Sequence, residues 1–306
     1  MKILVATEKP FAAVAVDGIR EIVTGAGHEL ALLEKYTDNS QLIEAVADAD
    51  ALIVRSDIVS AEVLEAASRL KIVVRAGAGY DNLDLEACTR KKVVAMNTPG
   101  QNSNAVAELA LGMMVYMARG GFNGKPGSEL RGKTIGIHAY GNVGRYVAEI
   151  ALGFGMKVLA YDPYVDDAVI EKDGVNSVSS VDDLYSLSHY VSLHVPATAE
   201  TKGSIGSKLL MSMPEGATLV NTARKEVINE GELIRVFADR PDFKYISDIA
   251  PDCAADIVAS YPGRYFFTPK KMGAQTEEAN INSGVAAASQ IVRFLKDGDE
   301  TFRVNK

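Results

Sequence analysis

The chain contains no tryptophan, two cysteines, four histidines and no stretch of lysine and arginine longer than Arg90-Lys91-Lys92. Each scarcity excludes a class of protein. Cys88 and Cys253 are too few and too far apart in sequence for a disulfide framework or for metal-ligand spacing, so no metal is expected and a reducing, cytoplasmic setting is implied. With a net charge of -8 and no basic block, the footprint of a nucleic-acid partner is missing. The start, Met1-Lys2-Ile3-Leu4-Val5-Ala6, meets Glu8 and Lys9 too soon for a secretory apolar region. The most apolar later stretch, Val106 to Ala118, is interrupted by Glu108 and is too short to span a bilayer, so no membrane partner is expected. What is present is ordinary globular material: 306 residues, 47% hydrophobic and 24% charged, enough for two packed cores.

Short apolar runs alternate with helix-period segments almost throughout. The runs are Ile3-Leu4-Val5, Ala51-Leu52-Ile53-Val54, Ile72-Val73-Val74, Val93-Val94-Ala95, Thr134-Ile135-Gly136-Ile137, Val158-Leu159-Ala160, Val191-Ser192-Leu193 and Thr218-Leu219-Val220. Strands without polar alternation are buried on both faces, which predicts α/β architecture with doubly wound parallel sheets covered by helices. The pattern breaks at Asn97-Thr98-Pro99-Gly100-Gln101-Asn102-Ser103 and again at Gly120 to Gly127, with an apolar helix expected between them over about 105–117. A last helix-period segment, about Glu277 to Leu295, follows the final strand with no further sheet to build, so it is expected to return to the first domain. The predicted division is a discontinuous domain, 1–98 with 278–306, and an inserted domain, 99–277.

Within the inserted domain, Thr134-Ile135-Gly136-Ile137-His138-Ala139-Tyr140-Gly141-Asn142-Val143-Gly144-Arg145 reads as a buried strand turning into a helix. At such a turn, backbone N–H groups of a helix N-terminus can hold a pyrophosphate. Gly141 lets backbone approach the phosphates and Gly144 lets helix and strand pack closely, while Ala139 stands where the pattern has its first glycine. Alanine there costs about 1 kcal/mol if the position needs a positive φ, and nothing otherwise. Asp162, about 20 residues on at the end of Val158-Leu159-Ala160-Tyr161, strengthens the motif, since a carboxylate there accepts ribose hydroxyls and repels a 2′-phosphate. The expected cofactor is NAD, not NADP. An ordinary βα turn with Asp162 as a turn residue before Pro163 gives no reason for the order strand, turn, helix, second strand, acid. His138 lies inside the strand and is expected to be a buried core histidine without chemistry. Val220-Asn221-Thr222-Ala223-Arg224 follows another buried strand, which places Arg224 at the ligand edge of the sheet, where its planar fork suits a carboxylate. From these residues alone, a surface arginine closing a strand end reads equally well.

Taken together, these segments resemble the D-2-hydroxyacid dehydrogenases over nearly the whole length, and among them most closely the short enzymes acting on 3-phosphoglycerate. The resemblance is carried by Val54-Arg55-Ser56, Val74-Arg75-Ala76-Gly77-Ala78-Gly79-Tyr80-Asp81-Asn82, Met96-Asn97-Thr98-Pro99, Ala107-Glu108-Leu109, the fingerprint through Asp162, His194-Val195-Pro196 and Val220 to Arg224. It implies a flavodoxin-like substrate domain and a Rossmann NAD-binding domain, with a small 2-hydroxy acid exchanging a hydride with NAD. Arg224 would bind and polarise the oxo acid. Substrate contacts carry over to Arg55, Ser56, Arg75, Ala78, Gly79 and, more weakly, Asn102. Cofactor contacts carry over to Ala78, Gly141, Asn142, Val143, Gly144, Asp162, His194, Val195, Pro196, Thr222, Ala223, Asp248, Gly273 and Ala274.

The chain departs from the resemblance at the acid/base. Where those enzymes have a histidine in a Pro-His-Ile-Gly-Ala-like segment, this chain reads Thr268-Pro269-Lys270-Lys271-Met272-Gly273-Ala274, and alignment on Gly273-Ala274 puts Lys271 in the histidine's place. The glutamate that pairs with the histidine is missing after Asp248. A histidine needs a carboxylate to orient and charge it, whereas lysine is protonated at pH 7 unless desolvated, so the two departures are consistent with Lys271 acting alone as acid/base. The other possibility is a solvated lysine beside Lys270, with Asp252 or His194 in the catalytic role.

Arg55 and Arg75 both follow buried strands and are expected at the ligand edge of the first domain. Together with Arg224 they favour a substrate with two anionic groups, a phosphate as well as a carboxylate, unless one of the pair is a structural salt bridge. Alternatives are a hydroxypyruvate, glyoxylate or D-lactate reductase and, from another class, an NAD-sensing protein like the dehydrogenase-derived corepressors. The chain stops after the return helix without the regulatory module of some relatives, so no inhibition by serine is expected. The resemblance also implies a homodimer through the cofactor domain, with the apolar helix as candidate interface.

Overall fold

Residues in runs such as Ile3-Leu4-Val5-Ala6 alternate between two apolar layers because a strand turns successive side chains to opposite faces. In the computed structural model, which describes residues 1–305, this happens in two sheets belonging to two compact units. The first unit is Met1–Asn102 together with the stretch from Gln275 onward, and the second is Ser103–Ala274.

The first unit begins with β1 (Lys2–Thr7), α1 (Ala13–Gly25), β2 (Glu29–Glu34), α2 (Asn39–Val46), β3 (Ala51–Val54), α3 (Ala61–Ala66), β4 (Ile72–Arg75), α4 (Leu85–Arg90) and β5 (Val94–Asn97). The second runs through α5 (Ser103–Ala118), β6 (Thr134–His138), α6 (Asn142–Gly153), β7 (Lys157–Tyr161), α7 (Asp167–Lys172), β8 (Asn176–Ser177), α8 (Val181–Ser186) and β9 (Tyr190–Leu193). It continues with α9 (Ser207–Ser212), β10 (Thr218–Asn221), α10 (Glu230–Asp239), β11 (Lys244–Ser247), α11 (Ala254–Ser260) and β12 (Tyr265–Phe267). The chain then re-enters the first unit as α12 (Glu277–Asp297).

The first sheet has the order β2-β1-β3-β4-β5 and the second β12-β11-β10-β9-β6-β7-β8, with every pairing parallel. In the first unit, Ile3, Val5, Ile53 and Val74 pack with Ile19 of α1 and Ile291 of α12, while Leu4, Leu52 and Val73 pack with Leu42, Val63 and Leu64 on the other face. Thr276 caps α12 by accepting from Ala279 N at 3.1 Å, and Gly298, left-handed at φ 71°, ends it by donating to the Phe294 carbonyl. In the second unit, Val220 and Ile246 face the layer that holds most of α5, and Leu219 and Tyr245 face the opposite layer. The apolar character of α5 is thus met largely inside its own unit: Ala107, Ala110, Leu111, Met113, Met114 and Met117 are all buried there.

Candidate active site

Both sheets reverse strand order at an interior strand, β1 in the first unit and β6 in the second. In doubly wound sheets the crevice beyond the carboxyl ends at such a point is where ligands bind. In the second unit, Ala139 to Asn142 follow β6, Asp162 follows β7, His194 to Pro196 follow β9, Thr222 to Arg224 follow β10, Asp248 follows β11 and Thr268 to Gly273 follow β12. All of them therefore emerge from one edge.

The fingerprint loop carries backbone strain, since Ala139 has φ 79°. Its conformation is secured on both sides: Ala139 N donates to the Tyr161 carbonyl at 2.9 Å, and Tyr140 N donates to Asp162 Oδ2 at 2.8 Å. The other oxygen of Asp162 accepts from Tyr164 N at 2.9 Å. Gly144 has to be glycine, because a Cβ there would lie 2.4 Å from the Ala139 carbonyl oxygen. Gly141, the N-cap of α6, has the reverse property. A Cβ there meets nothing within 4 Å, and no side chain caps the helix. The first turn of α6 thus offers the uncapped N-terminus that an anion requires.

His138 and His194 lie on neighbouring strand ends, His194 N donating to the His138 carbonyl at 2.9 Å. Burial pushes His138 down to about 4, partly opposed by Asp162, and burial together with His138 pushes His194 down to about 3. His138 meets the Tyr185 hydroxyl at 3.2 Å and His194 Nε2 meets Ser192 Oγ at 3.0 Å, so each neutral ring has a hydrogen-bond partner.

At the ends of β10 and β12, the Arg224 guanidinium donates to the Ala223 carbonyl at 3.0 Å, and the Lys271 ammonium donates to that same oxygen at 3.3 Å. Two cations 47 positions apart therefore converge on one atom. Asn221 shapes the first of these loops, with Nδ2 donating to the Arg224 carbonyl at 2.9 Å and Oδ1 accepting from Ala223 N at 2.9 Å. Asp248, 2% exposed, shapes the second by accepting from Met272 N at 2.7 Å, Gly273 N at 2.8 Å and the Thr268 hydroxyl at 3.2 Å. Lys271 is exposed at this edge. Asp252, one of the two other acid/base candidates beside His194, is exposed and ion-paired to Lys225 at 2.5 Å. Glu230 accepts from Asp252 N and Cys253 N at 2.9 and 2.8 Å and so holds the segment that lacks the expected glutamate.

The edge of the first unit is organised around Asp57, which is 4% exposed. Its carboxylate accepts from Glu8 N at 2.7 Å, the Tyr36 hydroxyl at 2.8 Å and Arg55 N at 3.2 Å. Arg75 Nε donates to the Arg55 carbonyl at 2.9 Å, and its guanidinium lies over Gly77, where a Cβ would sit 1.7 Å from Nη1. Gly77 has φ 146°. Asn97 Nδ2 donates to the Ala78 carbonyl at 2.6 Å and holds the Ala78-Gly79 turn, while Ser56 is exposed and Asn102 half-buried. Asn221, Asp57 and Asn97 are the organising residues that sequence reasoning missed. The available signal was a polar side chain at or just beyond the end of an apolar strand, where loop backbone needs partners.

The cofactor edge fits a dinucleotide on its own evidence. The N-terminus of α6 is uncapped, Gly141 leaves open space, and Thr222 Oγ1 is buried with no hydrogen-bond partner among the described residues. Fold and edge together define a two-unit α/β protein whose second unit is built to bind a dinucleotide. Residues 105–253 match the family described as D-isomer specific 2-hydroxyacid dehydrogenase, NAD binding domain. The chain is 37% identical to a hydroxypyruvate reductase of Thermotoga maritima over 287 residues, 87% of this chain and 92% of that one. It is 35% identical to a D-3-phosphoglycerate dehydrogenase of Methanocaldococcus jannaschii over 84% of this chain, but spans only 52% of that longer protein. The NAD+-bound crystal structure of a 3-phosphoglycerate dehydrogenase from Entamoeba histolytica superposes with a TM-score of 0.87 at 50% identity, covering 100% of this chain and 99% of that one. The chain belongs to the D-isomer specific 2-hydroxyacid dehydrogenase family.

Proposed function

We propose that this protein transfers a hydride between NAD and a phosphorylated 2-hydroxy acid, 3-phosphoglycerate with 3-phosphohydroxypyruvate as its oxo form. The observation that carries this reading is the meeting of Arg224 and Lys271 on the Ala223 carbonyl oxygen, at 3.0 and 3.3 Å. When bound, the nicotinamide supplies the hydride to C2 of the oxo acid, or accepts it from the alcohol. Gly141, Asn142, Val143 and Gly144 would hold the pyrophosphate and Asp162 the ribose, with His194, Val195, Pro196, Thr222, Ala223, Asp248, Gly273 and Ala274 lining the rest of the cofactor's path in the second unit. Arg224 fixes the carboxylate and polarises the carbonyl. Lys271 donates a proton to the carbonyl oxygen in reduction and, once neutral, removes it from the alcohol in oxidation. Arg55 and Arg75, with Ser56, Ala78, Gly79 and Asn102 around them, form the anion site of the substrate unit.

The test follows NADH absorbance with a panel of 2-oxo acids, with Lys271→Met beside the parent. The expected result is a loss of turnover of at least about 100-fold in the variant, the usual scale of a general acid, with NADH binding retained. Near-normal turnover would overturn the assignment.

A second reading, hydroxypyruvate reductase, is favoured by the Thermotoga maritima relative, which this chain covers almost completely. The ratio of kcat/KM for 3-phosphohydroxypyruvate to that for hydroxypyruvate decides between the two. We place the protein in a reducing compartment such as the cytoplasm, in keeping with its unbridged cysteines, and as a homodimer joined through the second unit. Gly112, exposed in the middle of α5 with nothing within 4 Å of a built Cβ, supports the dimer, since a helix interior gains from alanine unless another surface approaches closely. Sedimentation at micromolar concentration checks it.

A further inference from the structure

Arg55 follows β3 at the ligand edge of the first unit. Its Nη1 donates to the carbonyls of Lys9 at 2.9 Å and Pro10 at 3.1 Å, and its Nη2 donates to Asn280 Oδ1 at 2.5 Å. The ring of Phe11 lies beneath it, 5.1 Å from the guanidinium carbon to the ring centroid. Every one of these partners is neutral. Asp57, two residues along, commits its carboxylate to Glu8 N, the Tyr36 hydroxyl and the backbone N–H of Arg55. Among the described residues no ion pair includes Arg55, whereas Arg69, Arg240 and Arg303 each have a carboxylate. Burial holds the Arg55 guanidinium below the usual arginine range, partly opposed by the charge of Asp57, which makes no direct contact with the guanidinium.

The neutrality depends on one side chain. Backbone carbonyls cannot be changed by mutation, but Asn280 can. Its amide is oriented by its own helix, because Nδ2 donates to the Thr276 carbonyl at 2.7 Å and this turns Oδ1 toward Arg55. The reverse orientation would set an NH2 against the guanidinium and an oxygen against a carbonyl, two repulsions in place of two hydrogen bonds. A carboxylate has the same size; it would give up the hydrogen bond to the Thr276 carbonyl, as serine at this position also does, and would form the ion pair that Arg55 lacks.

We propose that Asn280, in the first turns of α12, sets the enzyme's preference for a phosphorylated substrate by giving Arg55 a neutral acceptor and so leaving its charge for the phosphate. Asn280 acts here through Arg55, as a positioning residue. The proposal rests on the reading of Arg55 as part of the anion site, and the experiment separates the two. In Asn280→Asp the internal carboxylate competes with the phosphate. A charge-assisted pair of this kind is worth enough that the ratio of kcat/KM for 3-phosphohydroxypyruvate over hydroxypyruvate is expected to fall about tenfold or more. The inhibition constant of inorganic phosphate is expected to rise with it. The neutral variant Asn280→Ser is expected to move the ratio by less than about threefold, within what a single neutral hydrogen bond contributes.

An unchanged ratio in the aspartate variant, or an equal loss on both substrates, would overturn the proposal, as would a tenfold fall in the serine variant, which would assign the effect to packing. Arg55→Met reports on the underlying reading. If it leaves the ratio unchanged, Arg55 does not bind the phosphate. If it collapses the ratio while Asn280→Asp does not, the inference about Asn280 alone fails.

Discussion

Ala139 shows how one residue can carry a cost that the motif around it explains. At φ 79° it occupies the left-handed region, which an L-residue with a Cβ enters at a cost of about 1 kcal/mol or more. The strain persists because hydrogen bonds to Tyr161 and Asp162 hold the loop on both sides. Ala139→Gly is expected to stabilise the second unit by roughly 0.5–1 kcal/mol, the relief of strain being partly offset by the greater freedom of glycine in the unfolded chain. Urea unfolding measures this, and a lowered midpoint would show that the strain is not relieved. The sequence established that glycine was absent from this position. Whether the absence costs anything depended on φ, which is set by how β6 feeds α6.

At the level of elements, β6 and β9 place two neutral histidines side by side. Their folded pKa values, about 4 for His138 and about 3 for His194, lie below the ordinary 6.5. Below pH 6.5 the unfolded chain therefore takes up protons that the fold refuses. Their contribution to stability is full above pH 6.5 and is lost as the pH falls from there toward 4 for His138 and toward 3 for His194. The urea midpoint is accordingly expected to drop between pH 7 and pH 4.5, and His138→Gln is expected to make that drop shallower. An equally steep drop in the variant would place the acid sensitivity elsewhere.

Strand legibility follows the same physics. The interior strands β1, β3, β4, β6, β7 and β10 appear in the sequence as unbroken apolar runs because both faces are covered, β9 does so apart from the buried Ser192, and β5 does so at the edge of the first sheet. The edge strand β2 reads Glu-Leu-Ala-Leu-Leu-Glu and is only partly buried, β8 has two residues, and β12 is a half-buried aromatic triplet. β11, Lys-Tyr-Ile-Ser, mixes polar ends with a buried centre. None of these four carries the signature of a strand covered on both faces.

Across the whole molecule, the two units differ in how they use the chain. The second is one continuous segment with apolar layers on both faces of its own sheet. The first needs both ends, because Ile291, Ala287 and Ala288 of α12 complete the layer that holds Phe11 and Ile19. Residues 103–274 expressed alone are therefore expected to unfold cooperatively, whereas a chain ended at residue 274 is expected to leave its first unit loosely packed, with the α1 face exposed. Dye binding and hydrogen exchange check both, and a well-protected first unit without α12 would contradict this account.

The sequence by itself determined what local rules can encode: the α/β class, from apolar runs of strand length; the dinucleotide turn, from the spacing of Gly141, Gly144 and Asp162; and the lack of any histidine in the Thr268 to Ala274 segment. Tertiary structure alone decided which side chains meet. The convergence of Arg224 and Lys271 on one carbonyl, the carboxylate of Asp248 gathering the Thr268 to Gly273 loop, and the placing of Asn280 against Arg55 across 225 positions all depend on parallel strands delivering distant loops to one edge of a sheet. Hydrogen bonds act over about 3 Å in space, so a one-dimensional pattern shows the groups but not their pairing.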